Sequence, residues 1–411
     1  MSKRAIILVP GFGKREQLEA RGRLVESLTH YSDGYVTETA KGSDTADSNS
    51  VVIKATARDG TQPDLEVHVF EAYWGDLIPD WDQESPWARA KRGFALILYW
   101  AFGGLGRALL RRELPARTMG VMAAAGLLLL LWYLLALTVL FQALGPEVAD
   151  VAKTTTEQVG QPTGVPGWLT AVLPDGWLTP ERIASFGNLN QLPVIAFLIG
   201  LIGIGHIEKV ANVAAFTKAY LKDEALGDAS VGLRAKARHR VLPVLDQVYA
   251  SDQNFDEVYV VAHSLGGAVA IDALAECGAE LARTTLFTWG SAIGVMVQQE
   301  PLIEAEIRKF YHSPTRIRNW VDVVVPGDFM GSKVPIPKAE GTYEALPQLF
   351  PKTQMPPKPR GMMLQLNAQH EYYYRCEAAI LMLLNSADNL PQPVALAGAV
   401  DGLPDLAAPA P

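Results

Sequence analysis

Apolar positions in this chain fall into short continuous runs that alternate with helical spacings. Ala5-Ile6-Ile7-Leu8-Val9 is one such run, and it ends at Pro10-Gly11-Phe12-Gly13. Five apolar residues stopped by proline and glycine predict a buried strand and a turn. The run is too short for the apolar core of a secretory signal. Leu18, Leu24 and Leu28 predict a helix over 15–28, and residues 51–55 and 65–70 predict two further strands. Residues 210–250 predict two helices broken near Gly227. Beyond them follow a strand at 258–261, a helix at 265–277, a strand at 285–289, a helix around 296–310 and a strand at 316–325. A proline-rich loop at 332–360 precedes a last strand at 362–366 and a last helix at 372–384. Past Asn389 the chain is rich in Pro, Ala and Gly, and disorder is expected over 389–411. Strands that alternate with helices predict a mostly parallel sheet with helices on both faces.

The middle of the chain breaks this pattern. Residues 120–144 carry no charge and include five consecutive leucines, Leu127 to Leu131. Such a stretch exceeds the ~20 residues needed to cross ~30 Å of hydrocarbon, so a transmembrane helix is expected. Residues 187–207 predict a second, shorter span, with Gly200, Gly203 and Gly205 suited to close helix approach. Residues 94–110 are apolar but flanked by Arg89, Lys91, Arg92, Arg111 and Arg112, the pattern of a helix lying in the interface. Basic residues crowd the outer flanks of the two spans, whereas 145–186 holds only Lys153 and Arg182. The expected arrangement is an integral protein of an inner or plasma membrane, with 145–186 outside and both soluble parts cytoplasmic. The expected domains are 1–85 and 209–388, two parts of one α/β domain, separated by the membrane insertion 86–208.

Composition narrows the chemistry. The net charge of -8 over 411 residues gives no global drive toward nucleic acid. Two cysteines, Cys277 and Cys376, exclude a disulfide scaffold and a four-thiolate zinc site. There is no G-x-x-x-x-G-K-[ST], H-E-x-x-H or C-x-x-C, so no cofactor and no metal is expected. Between the strand at 258–261 and the helix at 265–277 lies Ala262-His263-Ser264-Leu265-Gly266-Gly267. A serine with small residues two positions to either side, on a sharp strand-to-helix turn, is a nucleophile elbow. The Leu265 amide, at the helix start, is placed to stabilise an oxyanion. His263 faces away from its neighbour and is expected to be a structural or pocket residue. Tyr73-Trp74-Gly75-Asp76 ends a strand near the same sheet edge and is expected to pack or to line a pocket.

Residues 5–13, with "LVPGFG" at 8–13, and 258–274 ("VYVVAHSLGGAVAIDAL") resemble the α/β-hydrolase superfamily, in particular its lipase-like serine hydrolases. "LFTWGSAIG" resembles the strand and turn that follow the elbow helix. The likeness covers 1–80 and 210–385; the insertion has no counterpart in soluble members, and Ala262 stands where the usual pattern has glycine. The resemblance implies an α/β-hydrolase-type, mostly parallel sheet with helices on both faces, and the hydropathy pattern adds the helical transmembrane insertion expected to interrupt it. It implies a second oxyanion amide at Phe12, and a triad in the order serine, acid, histidine. His370, in "HEYYY", is then the expected base, and His312 comes too early. Asp322 lies inside an apolar strand, where a carboxylate is costly unless paired. Asp328 follows the strand end, in Pro326-Gly327-Asp328. Asp328 is the expected acid and Asp322 the alternative. The implied activity is a membrane-anchored serine esterase or lipase-like enzyme working through an acyl-enzyme. Its leading substrate is a lipid or acyl-protein ester, with a soluble ester or a thioester second. The expected partners are the lipid bilayer and the ester, with no nucleic acid. The competing expectation is a non-catalytic hydrolase-fold scaffold that organises a membrane partner.

Overall fold

A computed structural model describes, with short gaps, residues 1–103, 204–325 and 370–390, together with scattered positions that include parts of 126–137, Asp328 and 394–395. The strands are β1 (Ser2–Val9), β2 (Tyr35–Ala40), β3 (Ser50–Ala57), β4 (Leu65–Glu71), β5 (Glu257–His263), β6 (Thr284–Trp289) and β7 (Asn319–Val323). Three two-residue segments follow: β8 (Glu344–Ala345), β9 (Gln348–Leu349) and β10 (Val394–Ala395). The helices are α1 (Glu19–His30), α2 (Pro86–Phe102), α3 (Ile204–Leu221), α4 (Leu233–Tyr249), α5 (Gly266–Glu276), α6 (Ile293–Gln299), α7 (Leu302–Tyr311) and α8 (Glu377–Leu384).

One eight-stranded sheet runs β2-β3-β4-β1-β5-β6-β7-β9. It is a mixed α/β arrangement, parallel from β4 through β9, with β2 and β3 joined antiparallel at one edge. Burial explains the sequence pattern. Every residue of β5 and β6 is buried, as in a parallel sheet covered on both faces. In β3 the second half alternates buried and outward residues, because an edge hairpin needs only one dry face. Ile6, Leu8, Tyr259, Val261, Phe287, Trp289, Val321 and Val323 form one apolar face with Leu24 and Leu28 of α1 and Ile380 and Leu383 of α8. On the opposite face α5 packs on β5 and β1, flanked by α4 and α7.

Several elements differ from expectation. β2 was not predicted; Val36, Thr37, Glu38 and Thr39 lack an apolar alternation because the strand sits at the edge, with Val36 exposed. α1 begins at Glu19 rather than at residue 15, after Leu18 adopts a left-handed backbone (φ 73°). The expected last helix is split: Tyr372–Arg375 form a 3-10 turn, Cys376 is extended, and α8 starts at Glu377. Val394–Ala395, within the expected disordered tail, pairs antiparallel with Glu344–Ala345. The expected strand at 362–366, the outside loop 145–186 and most of 332–360 lie outside the described residues.

The chain divides into two compact units, one of 1–79, 103–122 and 217–411 and the other of 80–102 and 123–216. In the second unit α2 starts at Pro86, ahead of the apolar run that begins at Phe94. Its inner face buries Ala90, Leu96 and Trp100, and Gly93 lies against the rings of Trp132 and Tyr133. The Arg92 guanidinium lies 4.7 Å from the Trp132 ring centre, pairs with Glu84 at 2.7 Å and donates to Asn212 at 2.8 Å. Outward stand Trp87, Phe94, Leu98 and Phe102 of α2, and Leu127, Leu130 and Leu134 of the neighbouring helical residues. Among the described residues no helix is long and apolar enough to cross a membrane. The expected spans 120–144 and 187–207 lie largely outside those residues.

Buried ion pairs hold the first unit together at two points. Arg234 of α4 grips Asp272 of α5 through Nε and Nη2, at 2.6 and 2.5 Å, and the Tyr220 hydroxyl of α3 donates to the same carboxylate. Below the sheet Arg4 of β1 pairs with Glu257 of β5 and donates to the Leu383 carbonyl at 2.7 Å, while Glu257 accepts the Ala387 amide at 2.7 Å. Cutting one partner strands the other in a dry site, so Arg4→Met is expected to lower the unfolding free energy by about 3–5 kcal/mol, read by denaturant unfolding.

Candidate active site

β1, β5, β6 and β7 all run parallel, so the loops that leave their carboxyl ends emerge at one edge of the sheet. Ser264 follows β5 directly and holds a left-handed backbone with φ 55°, a conformation that costs a non-glycine residue about 1–3 kcal/mol. The turn is pinned by the Ser264 amide donating to Trp289 O at 2.9 Å and by the Gly267 amide donating to Ser264 O at 3.1 Å. Gly266 makes the tight exit possible, since a Cβ there would stand 2.5 Å from the Val9 and Pro10 carbonyl oxygens. From the neighbouring strand Gly11 approaches equally closely; a Cβ on it would lie 2.7 Å from His263 Nδ1 and 2.9 Å from Ser264 Cβ.

Three residues separated widely in the chain meet here. His370 Nε2 lies 2.8 Å from Ser264 Oγ, and His370 Nδ1 lies 3.1 Å from each Asp328 oxygen. A carboxylate only accepts, so Nδ1 carries the proton toward Asp328 and Nε2 is left to accept from the serine hydroxyl. Tyr373 Oη donates to Asp328 Oδ2 at 2.7 Å and accepts the Val325 amide at 3.0 Å. Burial and the Asp328 carboxylate push the Tyr373 phenol well above its ordinary pKa, so it remains a donor. Ser264 is 5% exposed, His370 7% and Asp328 1%. Electrostatic attraction within the group is therefore weakly screened.

Of the two candidate acids the structure brings Asp328 to His370. Asp322 is buried in β7, where Oδ1 accepts the Thr288 hydroxyl at 2.8 Å and Oδ2 the Val334 amide at 3.4 Å. Thr288 Oγ1 in turn accepts Trp320 Nε1–H at 3.1 Å, so this carboxylate belongs to a polar tie between β6 and β7. Leu265 caps the start of α5, where the first backbone amides have no partner inside the helix. Phe12 follows Gly11 on the loop lying against Ser264 and is half-buried. His312, Pro326 and Gly327 lie outside the described residues. Among the described residues no three His, Cys, Asp or Glu side chains group as metal ligands.

His263, expected to be a structural or pocket residue, is buried beside His370. Its Nε2 lies 2.8 Å from the His370 carbonyl oxygen, and the two imidazole rings are 4.8 Å apart. Burial, reinforced by the neighbouring His370, lowers the His263 pKa from 6.5 to about 4. The ring is neutral at pH 7, and Nε2–H donates to that carbonyl. The signal available in the sequence was only that a histidine at the end of a fully buried strand must find a partner. Comparison with protein-family models, with curated proteins and with solved structures returns no match for this chain.

A histidine held neutral in the folded protein but free to protonate when unfolded makes stability depend on pH. Between pH 6.5 and about 4 the unfolded chain binds the extra proton, so stability falls as pH falls. The full effect is about 3 kcal/mol, from ~1.4 kcal/mol per pH unit. His263→Gln, which keeps an amide donor but cannot titrate, is expected to flatten that part of the stability–pH curve measured by denaturant unfolding.

Proposed function

We propose that this chain is a membrane-anchored serine hydrolase of the α/β-hydrolase type that cleaves carboxylic esters through an acyl-enzyme. The observation that carries the reading is the hydrogen-bonded chain Ser264–His370–Asp328, ending on a serine in a left-handed turn at the carboxyl edge of a parallel sheet. A buried serine whose hydroxyl meets a histidine, itself oriented by a carboxylate, is an activated nucleophile. His370 Nε2 takes the hydroxyl proton as Ser264 Oγ bonds to the acyl carbon. The resulting imidazolium is stabilised by Asp328 and returns the proton to the departing alkoxide as the C–O bond breaks. Water then repeats the sequence on the acyl-enzyme, and Ser264 is regenerated. The Phe12 and Leu265 amides are the proposed donors to the tetrahedral oxyanion.

Membrane anchoring rests on two supports. The uncharged stretch 120–144 is long enough to span. Side chains at 127, 130 and 134 face outward as leucines, beside the outward Phe94, Leu98 and Phe102, the last 81% exposed. An outer surface of that composition suits acyl chains rather than water. Fixing the enzyme at a bilayer raises the effective concentration of membrane-borne esters, so lipid or acyl-protein esters are the proposed substrates. The proposed location is an inner or plasma membrane, with the hydrolase domain on the cytoplasmic side.

The full-length protein in detergent is expected to react with a fluorophosphonate probe at Ser264, with labelling abolished in Ser264→Ala. No labelling of the folded wild type would favour a hydrolase-fold scaffold without activity. Asp328→Asn is expected to lower kcat on a soluble p-nitrophenyl ester by roughly 10⁴-fold, because an amide at that position favours the wrong histidine tautomer. Asp322→Asn keeps an oxygen acceptor for Thr288 and is expected to change kcat less than about tenfold. The reverse ranking of the two variants would move the acid to Asp322.

A further inference from the structure

Resting on the serine-hydrolase reading, we propose that Arg15 and Glu371 are positioning residues whose ion pair latches the loop bearing Phe12 onto the turn bearing His370. The loop after β1, residues 10–18, has no regular secondary structure before α1 begins. Two aromatic residues that follow β4 brace its backbone from one side. Trp74 Nε1 donates to Pro10 O at 2.9 Å, and Tyr73 Oη donates to Arg15 O at 2.8 Å. These bonds fix the loop relative to β4. They do not relate it to His370, which arrives from the far end of the chain.

The Arg15 side chain makes that connection. Its guanidinium pairs with the carboxylate of Glu371, the residue immediately after His370, and lies 6.0 Å from the centre of the Tyr374 ring. The Arg15 side chain is 15% exposed and that of Glu371 31%, so the pair is partly shielded from solvent. Burial opposes the charge on each partner. Glu371 and Tyr374 nevertheless hold the Arg15 pKa above its ordinary value, and His263, Arg15 and His370 hold Glu371 below its own. Both shifts favour the ionised pair. Arg23 of α1 adds a second, longer contact to Glu371 at 3.6 Å.

The arrangement surrounds one short segment. His370 is held at Nε2 by Ser264, at Nδ1 by Asp328 and at its carbonyl by His263, and the next residue ties to the oxyanion loop. An oxyanion donor acts only when it stands about 2.7–3.1 Å from the developing charge. A displacement of about 1 Å from the reactive geometry can cost roughly a hundredfold in rate. Loosening the latch therefore weakens transition-state stabilisation while leaving substrate affinity almost untouched.

Arg15→Gln and Glu371→Gln are expected each to lower kcat on a soluble p-nitrophenyl ester by about 10–100-fold, with KM within about twofold. The double variant is expected to be no worse than the poorer single one, since both changes break one interaction. Arg15→Lys keeps the charge but not the fork and should recover part of the rate. Backbone hydrogen exchange on the same full-length proteins reads the latch without any substrate. Glu371→Gln should speed exchange at amides 11–15 and Arg15→Gln at amides 371–375, each about tenfold or more, with β5 and β6 unchanged. Single losses that multiply in the double variant, or exchange in the opposite loop that stays at the wild-type rate, would overturn the latch. Failure of wild-type labelling by fluorophosphonate is a different outcome: it removes the hydrolase reading, and with it the positioning role, even where the exchange coupling is present.

Discussion

The pairing of β1 with β5 sets Val9 opposite Ala262, so the two chains leave the sheet at the same level. The turn at 10–13 and the turn at 263–266 are then forced into contact, and each tolerates the other only because Gly11 and Gly266 have no side chain. The ladder continues on the other side, where His263 pairs with Trp289 and Trp289 with Val323. Past the strand ends the Ser264 amide reaches Trp289 O and the Gly290 amide reaches Val323 O. A slip of one residue in any of these registers would turn apolar side chains to the wrong face, and the dry faces of the sheet forbid it. The placement of Ser264 and of the loop beside it is thus inherited from strand register.

Around that frame three buried carboxylates are met by donors. Asp328 receives His370 and Tyr373, Asp322 receives Thr288 and Val334, and Asp272 receives Arg234 and Tyr220. Unmet, each would cost several kcal/mol of stability. The neutral state of His263 fits the same logic. A neutral ring 4.8 Å from that of His370 supplies a hydrogen bond without bringing an unpaired charge into the dry site.

The readable part of this design was the part that burial enforces. β1, β5 and β6 are apolar runs because both sheet faces are covered, and the small residues around Ser264 follow from crowding at the turn. The edge strand β2 escaped notice because one wet face and a run of Thr and Glu erase the alternation. Asp322 and Asp328 flank the same valine run; which one meets His370 depends on side-chain direction, and spacing does not carry that. Arg15 was assigned to a helix because helix propensity took no account of its tertiary partners Tyr73 and Glu371. Hydropathy reads 120–144 and 187–207 as spans; both lie largely outside the described residues, among which no helix is long and apolar enough to cross a membrane.

The position of β1 has a consequence for the newly made chain. Residues 65–71 supply one neighbour soon after β1 is synthesised, but the other, β5, lies beyond the whole insertion. At about 5–20 residues per second the ribosome takes on the order of ten seconds or more to deliver it. Through that interval Ile6, Ile7 and Leu8 form the open edge of a half-built sheet, a template for pairing with other chains. The insertion meanwhile must find its own surroundings before residues 257–263 can close the gap. Translation that halts anywhere between β4 and β5 would leave that edge without its second partner, the kind of open edge that pairs with other chains.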